Sequence, residues 1–353
     1  MSASRVHRLT VASVEPVAED AVAVVLDVPE ELREEYRFRA GQHLTVVGED
    51  GGRRSFSIAA SPGSGILRIG VRRLPGGAFS DVVLAGLTPG DELDVMTPTG
   101  RFVAVPEPGR AAAYGAIAAG SGITPVLSIV TALLEGEPRS EVTLVLADRT
   151  TASAMFLDEV HDLKDRFPER LQLVHVLSRE RQESELLSGR LDGERLRRLL
   201  PVLVEVTEVD GWFLCGPHPM VEELRATLLD LGARQVRSEL FHVPTDGRPM
   251  PPPPVRPASS DDGTPLQVRL DGRTSTARAA PGETVLDAAL RVRPDLPYAC
   301  RGGVCGTCRA LVREGTVEMP VAYALEPGEL EAGYVLTCQA RPTSGTLVVD
   351  YDA

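Results

Sequence analysis

Tyr298–Ala310 reads YACRGGVCGTCRA, and VLTCQA follows at Val335–Ala340. Together they space four cysteines, Cys300, Cys305, Cys308 and Cys338, as C-x4-C-x2-C-x29-C. That is the spacing of a plant-type [2Fe–2S] cluster, in which one tight loop supplies three thiolates and a distant strand the fourth. The residues between the cysteines are small: Gly302, Gly303 and Gly306 let backbone N–H groups approach inorganic sulfur. A zinc site of four cysteines is the alternative, but it ordinarily pairs two C-x2-C knuckles, and here the last cysteine stands alone.

Outward from this loop, residues 264–353 read as a small α+β domain of the β-grasp type. LQVRL and TSTARA form a hairpin around Asp271-Gly272, and a short helix is expected over Glu283–Arg291. Ahead of it lies a Pro-rich linker, 244–263, containing TDGRPMPPPPVRPASSDDG (Thr245–Gly263). Its prolines favour extended polyproline II geometry and a semi-rigid spacer. In residues 106–243 the buried-strand runs AYGAIAA, EVTLVLA, LQLVHVL and GWFLC alternate with helical patterns at Pro125–Leu134, Ala152–Phe167 and Pro217–Leu231. That alternation argues for an α/β domain with a parallel sheet, a nucleotide-binding architecture, although no GxGxxG is present. Residues 1–105 instead read as short Val-, Ile- and Thr-rich strands (VHRLTVASV, AVAVVLDV, HLTVV, RSFSIAA, ILRIGVRR), an antiparallel β-barrel or sandwich. One short helix is expected at Ala78–Ala85.

Composition narrows the partners. The 353 residues carry 37 basic and 50 acidic side chains, a net charge of −13, and the only lysine is Lys164. Residues 106–243 hold −7 of that charge. This sign is wrong for gripping a phosphate backbone, so nucleic acid is not an expected partner. The uncharged run Ala111–Leu134 is 24 residues long. It is interrupted by GSGITP (Gly120–Pro125), so it reads as strand, loop and helix, and no membrane association is expected. Five cysteines, four of them beyond residue 299, do not make a secreted disulfide framework. A cytoplasmic location is expected.

Two further constellations suit cofactors. Arg54-Ser55-Phe56-Ser57 begins a strand, where an arginine can neutralise a flavin dinucleotide's diphosphate, a ring can stack, and a serine can bond the isoalloxazine edge. Gly76-Gly77-Ala78-Phe79-Ser80 places glycine-rich backbone at a helix start, a phosphate site. In the middle segment Gly120, Gly122 and Pro125 lie in the first strand-to-helix turn, and Cys215-Gly216-Pro217 forms another at the same sheet edge. Both suit a nucleotide pyrophosphate. Beyond the second strand, Asp148 would favour a free ribose 2′-hydroxyl, whereas Arg149 and Ser153 suit a 2′-phosphate. Asp148 is expected to point elsewhere or to cap the next turn.

RSFS, GGAFS, GSGITP and CGP, in this order, resemble the ferredoxin–NADP reductase superfamily, with a plant-type ferredoxin domain following. The layout resembles single-chain oxygenase reductases. MTPTGRF (Met96–Phe102), DRTTASAMF (Asp148–Phe156) and VEMPVAYALEPGELEAGYVLTCQARP (Val317–Pro342) are similar to reductase subunits of phenylacetyl-CoA epoxidase systems. The resemblance implies an NAD(P)H-dependent reductase that passes electrons through FAD and [2Fe–2S] to an oxygenase component, here a di-iron epoxidase complex. It also favours NADPH, with NADH possible. Carried over by residue, Arg54, Phe56, Ser57, Arg73 and Gly77 to Ser80 hold FAD, with Ser55 between them. Thr124 lies near the flavin–nicotinamide contact, Cys215 faces the nicotinamide, and Glu239 and Phe241 of SELFHV close over the flavin. Ser57, Thr124, Cys215 and Glu239 make up the catalytic set. Phe56 departs from the family's usual tyrosine and loses its hydroxyl bond. An exposed acid and a core aromatic remain the alternative for Glu239 and Phe241. A reductase of a steroid or Rieske-type hydroxylase, or a non-catalytic electron carrier or redox sensor, are the alternative functions.

Overall fold

The computed structural model of the chain describes residues 5–48, 51–73, 86–241 and 263–353. These contain two compact units, Val6–Phe241 and a second that holds residues 263–353.

The first unit opens with six antiparallel strands: β1 (Val6–Ala18), β2 (Ala21–Asp27), β3 (His43–Val47), β4 (Arg53–Ser57), β5 (Leu67–Arg72) and β6 (Glu92–Thr99). Their order is β4-β3-β6-β1-β2-β5. An antiparallel bridge between Ile58 and Ile69 joins the two edges, so the sheet curls into a barrel. Leu9, Val11, Val24, Leu44, Val46, Ile69 and Val95 fill its interior and are essentially solvent-free. The short helix expected over Ala78–Ala85 lies outside the described residues. The central strand β6 is not among the strands expected from the sequence, and the reason is local. Only Val95 and Met96 of its eight residues are buried, and Glu92, Asp94 and Pro98 hide the pattern.

The chain then alternates: β7 (Ala113–Ala119), α1 (Ile123–Gly136), β8 (Glu141–Asp148), α2 (Leu157–Arg166), β9 (Leu171–Leu177), α3 (Gly193–Leu203), β10 (Gly211–Gly216), α4 (His218–Asp230) and β11 (Val236–Leu240). The five strands are parallel in the order β11-β10-β7-β8-β9. The uncharged run Ala111–Leu134 is indeed strand, loop and helix. The helix expected from Ala152 starts later, at Leu157. Phe156 holds a φ of 55°, left-handed, while its ring is fully buried, and a residue so placed cannot continue a right-handed helix. Helix α3 is an addition to the expected set, although its signals are ordinary. Asp192 caps it by accepting from the Arg195 N–H at 2.8 Å, and Leu196, Leu199 and Leu200 form its buried face.

Barrel and parallel sheet share one core. A single buried cluster contains Ala21, Ala40, Ala59 and Phe102 from the first part and Val126, Ile129, Leu133 and Phe213 from the second. Ser128 Oγ donates to the Ala60 carbonyl at 2.6 Å across this seam.

The second unit has β12 (Thr264–Leu270), β13 (Arg273–Ala279), α5 (Val285–Leu290), β14 (Arg309–Glu314), β15 (Val317–Glu318), α6 (Pro327–Glu331), β16 (Tyr334–Leu336), β17 (Arg341–Pro342) and β18 (Leu347–Asp350). Its main sheet runs β13-β12-β18-β14-β16, with β12 and β18 parallel. Strand β12 alternates as its sequence demands, with Leu266, Val268 and Leu270 inward and Gln267 and Arg269 outward. Asp271 and Gly272 both take positive φ (52° and 70°), as a two-residue hairpin of this twist requires. Thr284 caps α5, which buries Val285, Leu286, Ala288 and Ala289 against the sheet. No helix among the described residues is long and apolar enough to cross a membrane.

Candidate functional site

Strands β3 and β4 pair with His43 opposite Ser57 and Thr45 opposite Ser55. Alternation puts these four side chains on one face of the barrel wall. The hydroxyls of Thr45 and Ser55 are closed off from solvent and have no hydrogen-bond partner among the described residues. Two orphaned buried hydroxyls cost about 1–3 kcal/mol each, which a bound group carrying donors and acceptors would recover. The isoalloxazine edge of FAD carries both, so this face fits that cofactor. Arg54 is exposed, Nη1 turned back to the Arg53 carbonyl at 3.0 Å. Phe56 lies on the other face of β4, opposite Leu44 and partly buried against the barrel interior. Arg73 is exposed just after β5. Gly77, Ala78, Phe79 and Ser80 lie outside the described residues.

The parallel sheet supplies the facing half. Successive strands run outward from β7 to β8 and β9; the chain then crosses back to β10 on the other side of β7. The carboxyl ends of β7 and β10 thus form the switch point at which such sheets bind nucleotides. Gly120 sits there with φ 56°, and a Cβ on it would stand 2.8 Å from Arg72 Nη1. A Cβ on Gly122 would stand 2.2 Å from the Cys215 carbonyl oxygen, and one on Gly216 would be 2.9 Å from the end of the Met220 side chain. These glycines hold the two turns against each other, and a nucleotide needs such close backbone approach. Thr124 Oγ1 donates to the Ser121 carbonyl at 2.9 Å and tightens the loop, while Pro125 is buried one residue on. A Cβ on Gly70 of β5 would stand 2.6 Å from Thr124 Cγ2, so the barrel abuts this turn directly. Pro217 is the residue before α4.

Three of the four catalytic candidates converge. Cys215 on β10 is registered with Glu239 on β11. Ser57 Oγ donates to Glu239 Oε2 at 3.2 Å, and the Glu239 side chain is 10% exposed. Burial, and next the Glu239 carboxylate, push the Cys215 thiol well up, so it stays protonated. Thr124 occupies the adjoining turn. Phe241 follows β11 and is 36% exposed.

At the end of β8, Asp148 turns away from the edge, its Oδ2 3.0 Å from His175 Nε2. Arg149 Nη2 donates to Asp20 Oδ2 at 3.0 Å. Ser153 is buried, and its hydroxyl is taken up in a capping box with Thr150.

In the second unit the loop from Cys300 to Cys308 is held in left-handed backbone at Arg301, Gly303 and Gly306 (φ 53°, 76° and 67°). The thiols associate in two pairs. A hydrogen bond from Cys305 lowers Cys300 to about 7 against the opposing effect of burial, and its counterpart raises Cys305. Cys308 and Cys338 are related in the same way, with Cys338 lowered and Cys308 raised. Two pairs of sulfurs, Cys300 with Cys305 and Cys308 with Cys338, match a donor set of two thiolates for each of two irons. Among the described residues no three His, Cys, Asp or Glu side chains gather as a set for one metal ion. The Gly302 N–H reaches toward Cys300 Sγ at 3.4 Å, a backbone donor aimed at ligand sulfur.

The sequence matches three families: the oxidoreductase FAD-binding domain over residues 8–103, the oxidoreductase NAD-binding domain over 116–226, and the 2Fe-2S iron-sulfur cluster binding domain over 268–343. It is 43% identical to one of the subunits of the 1,2-phenylacetyl-CoA epoxidase of Escherichia coli (strain K12), covering 98% of each chain. The chain belongs to the FAD- and [2Fe–2S]-containing oxygenase reductases. The ferredoxin reductase component of 3-ketosteroid-9-alpha-monooxygenase from Rhodococcus rhodochrous is 32% identical over 99% of this chain and 97% of that one. Phthalate dioxygenase reductase shares the fold at a TM-score of 0.58, 22% identity and 98% coverage of both chains. An intact type IV self-sufficient cytochrome P450 monooxygenase matches at a TM-score of 0.68 and 21% identity; the chain spans 41% of its length.

As a reductase of this family, the protein uses FAD, NAD(P)H and a [2Fe–2S] cluster. Several residues at its sites carry little signal in the sequence. His43 is 2% exposed, with Nδ1 3.9 Å from Glu239 Oε1, and its only signal is a lone histidine in an apolar strand. Arg72, rather than its neighbour Arg73, reaches the Gly120 turn. Ser178 and Arg179 are exposed just beyond β9 at the same sheet edge, and the Arg179 N–H donates to the Arg149 carbonyl at 2.8 Å. In the cluster loop, Arg301 is fixed by Asp287 at 2.7 Å and by Gln339 Nε2 donating to its carbonyl at 2.6 Å.

Proposed function

We propose that this reductase serves a phenylacetyl-CoA epoxidase system and delivers electrons from NADPH to a di-iron epoxidase complex. The end-to-end identity of 43% with the E. coli epoxidase chain, against 32% for the ketosteroid component, carries this reading. The FAD-binding part is assigned to residues 1–105, the nucleotide-binding part to 106–243, the linker to 244–263 and the ferredoxin part to 264–353. A cytoplasmic location, where the reduced nucleotide pool is, accompanies the assignment.

When bound, FAD and the cluster supply conversion of a two-electron donor into single-electron transfers. The chain's own residues orient and insulate. Arg54 and Arg73 are assigned to the flavin diphosphate, as are Gly77–Ser80, which lie outside the described residues. Phe56, packed toward the barrel interior, backs the strand that carries Ser55 and Ser57. Ser55 and Ser57 bond the polar edge of the flavin. Glu239 orients the Ser57 hydroxyl, and buried, protonated Cys215 presents an apolar wall to the nicotinamide without adding charge. Thr124 keeps the Gly120–Gly122 turn closed beneath the pyrophosphate. Arg149, with Ser178 and Arg179 across the edge, faces the adenosine 2′-phosphate. Ser153 acts from behind, through its capping box. Cys300, Cys305, Cys308 and Cys338 ligate the irons.

Anaerobic absorption spectra before and after NADPH, followed by turnover with purified oxygenase components, test the reading. Flavin and cluster bands bleach on addition of NADPH, and product forms with the phenylacetyl-CoA epoxidase components. Turnover only with a steroid hydroxylase transfers the protein to that system. Absence of flavin bleaching reduces it to a carrier.

A further inference from the structure

The hairpin between β1 and β2 reaches from the barrel onto the carboxyl edge of the parallel sheet. The Glu19 N–H donates to the Ala152 carbonyl at 3.0 Å, and the Phe156 N–H to the Val17 carbonyl at 3.3 Å. At its tip Asp20 holds two arginines that both belong to the nucleotide edge. Its Oδ1 accepts from Arg72 Nε at 2.9 Å, and its Oδ2 accepts from Arg149 Nη2 at 3.0 Å. Arg72 is held from a second side by the Ser153 carbonyl, and its side chain is 14% exposed. Among the described residues the Arg149 guanidinium is held by Asp20 alone, and the Arg149 side chain is 48% exposed, so a ligand can approach it.

An arginine shared between a resident carboxylate and an arriving phosphate is a competition, since both seek the same planar donor fork. We propose that Asp20 is a specificity-determining residue: its carboxylate competes with the adenosine 2′-phosphate for Arg149 and limits the preference for phosphorylated over unphosphorylated nucleotide. The proposal rests on the assignment of Arg149 to the 2′-phosphate. Arg72 has its second anchor, so it stays at the Gly120 turn when Asp20 loses its charge; the effect therefore falls on the ribose end.

The test measures calorimetric affinities of FAD- and cluster-loaded protein for 2′,5′-ADP and for AMP, which differ only in the 2′-phosphate. Asp20→Asn is expected to bind 2′,5′-ADP about three- to tenfold more tightly, the size expected on removing one partly exposed charge beside a bound phosphate. AMP affinity should shift less than about twofold, and the gain should shrink as salt rises. Asp20→Ser, which removes the same charge by a different shape, should agree, and melting temperature together with flavin absorbance reports that each variant is folded. No selective tightening, or equal tightening of both ligands, overturns the proposal. Arg149→Ala separates the two readings. If it removes the selective affinity for 2′,5′-ADP while the Asp20 variants gain none, Asp20 alone is wrong. If it leaves that affinity unchanged, the Arg149 assignment fails and the Asp20 proposal falls with it.

Discussion

His43 is an imidazole with almost no water around it, and burial lowers its pKa to about 4. In the unfolded chain it titrates near its ordinary value of about 6.5, so the unfolded state takes up the proton first as pH falls. Stability contributed by neutral His43 is therefore complete above about pH 6.5 and is lost as pH falls toward about 4. The shift corresponds to about 3 kcal/mol. Urea unfolding of His43→Gln, followed by flavin release between about pH 7 and about 4, should show a flatter acid limb than the parent. An unchanged slope would mean that the histidine is protonated in place. At the cluster, Cys308 is 3% exposed and packs within the core of its unit. Cys308→Ser should abolish the cluster spectrum and electron delivery to one-electron protein acceptors while NADPH–ferricyanide turnover persists. An intact cluster spectrum in that variant would remove Cys308 from the ligand set.

The turn between β7 and α1 works because it has no side chain to spare. A Cβ on Gly122 would meet the Cys215 carbonyl oxygen at 2.2 Å and the Gly216 nitrogen at 2.8 Å, both of them backbone on β10. Gly122→Ala must push the two nucleotide turns apart, at a cost of about 1–3 kcal/mol. It should raise the KM for NADPH severalfold and lower the melting temperature. Gly109→Ala is the control, since a Cβ there meets nothing within 4 Å. Equal behaviour of the two variants would refute the close-approach argument.

At the scale of the molecule, the barrel and parallel sheet share a core within one compact unit, and the cysteine-bearing sheet belongs to another. A fragment ending at Val243 should keep FAD and reduce ferricyanide with NADPH at a rate near that of the full chain. It should lack the cluster bands and fail to support an oxygenase. Loss of FAD from the fragment, read by its absorbance, would show that the flavin site needs the ferredoxin part.

Short-range physics determined what the sequence alone made legible. Ligand spacing along one loop identified the cluster, period-two and helical patterns identified the strands and helices of each segment, and Asp271-Gly272 identified the hairpin, because each depends on neighbours in the chain. Strands β6 and β11 do not stand out as strands, since polar residues interrupt their apolar pattern and pairing with β3, β1 and β10 holds them in place. Only tertiary structure decided which distant groups meet. Ser57 and Glu239 are 182 residues apart, and Asp20 and Arg149 are 129 apart. Their contacts follow from the packing of two sheets across a shared core, a long-range outcome that no local spacing encodes.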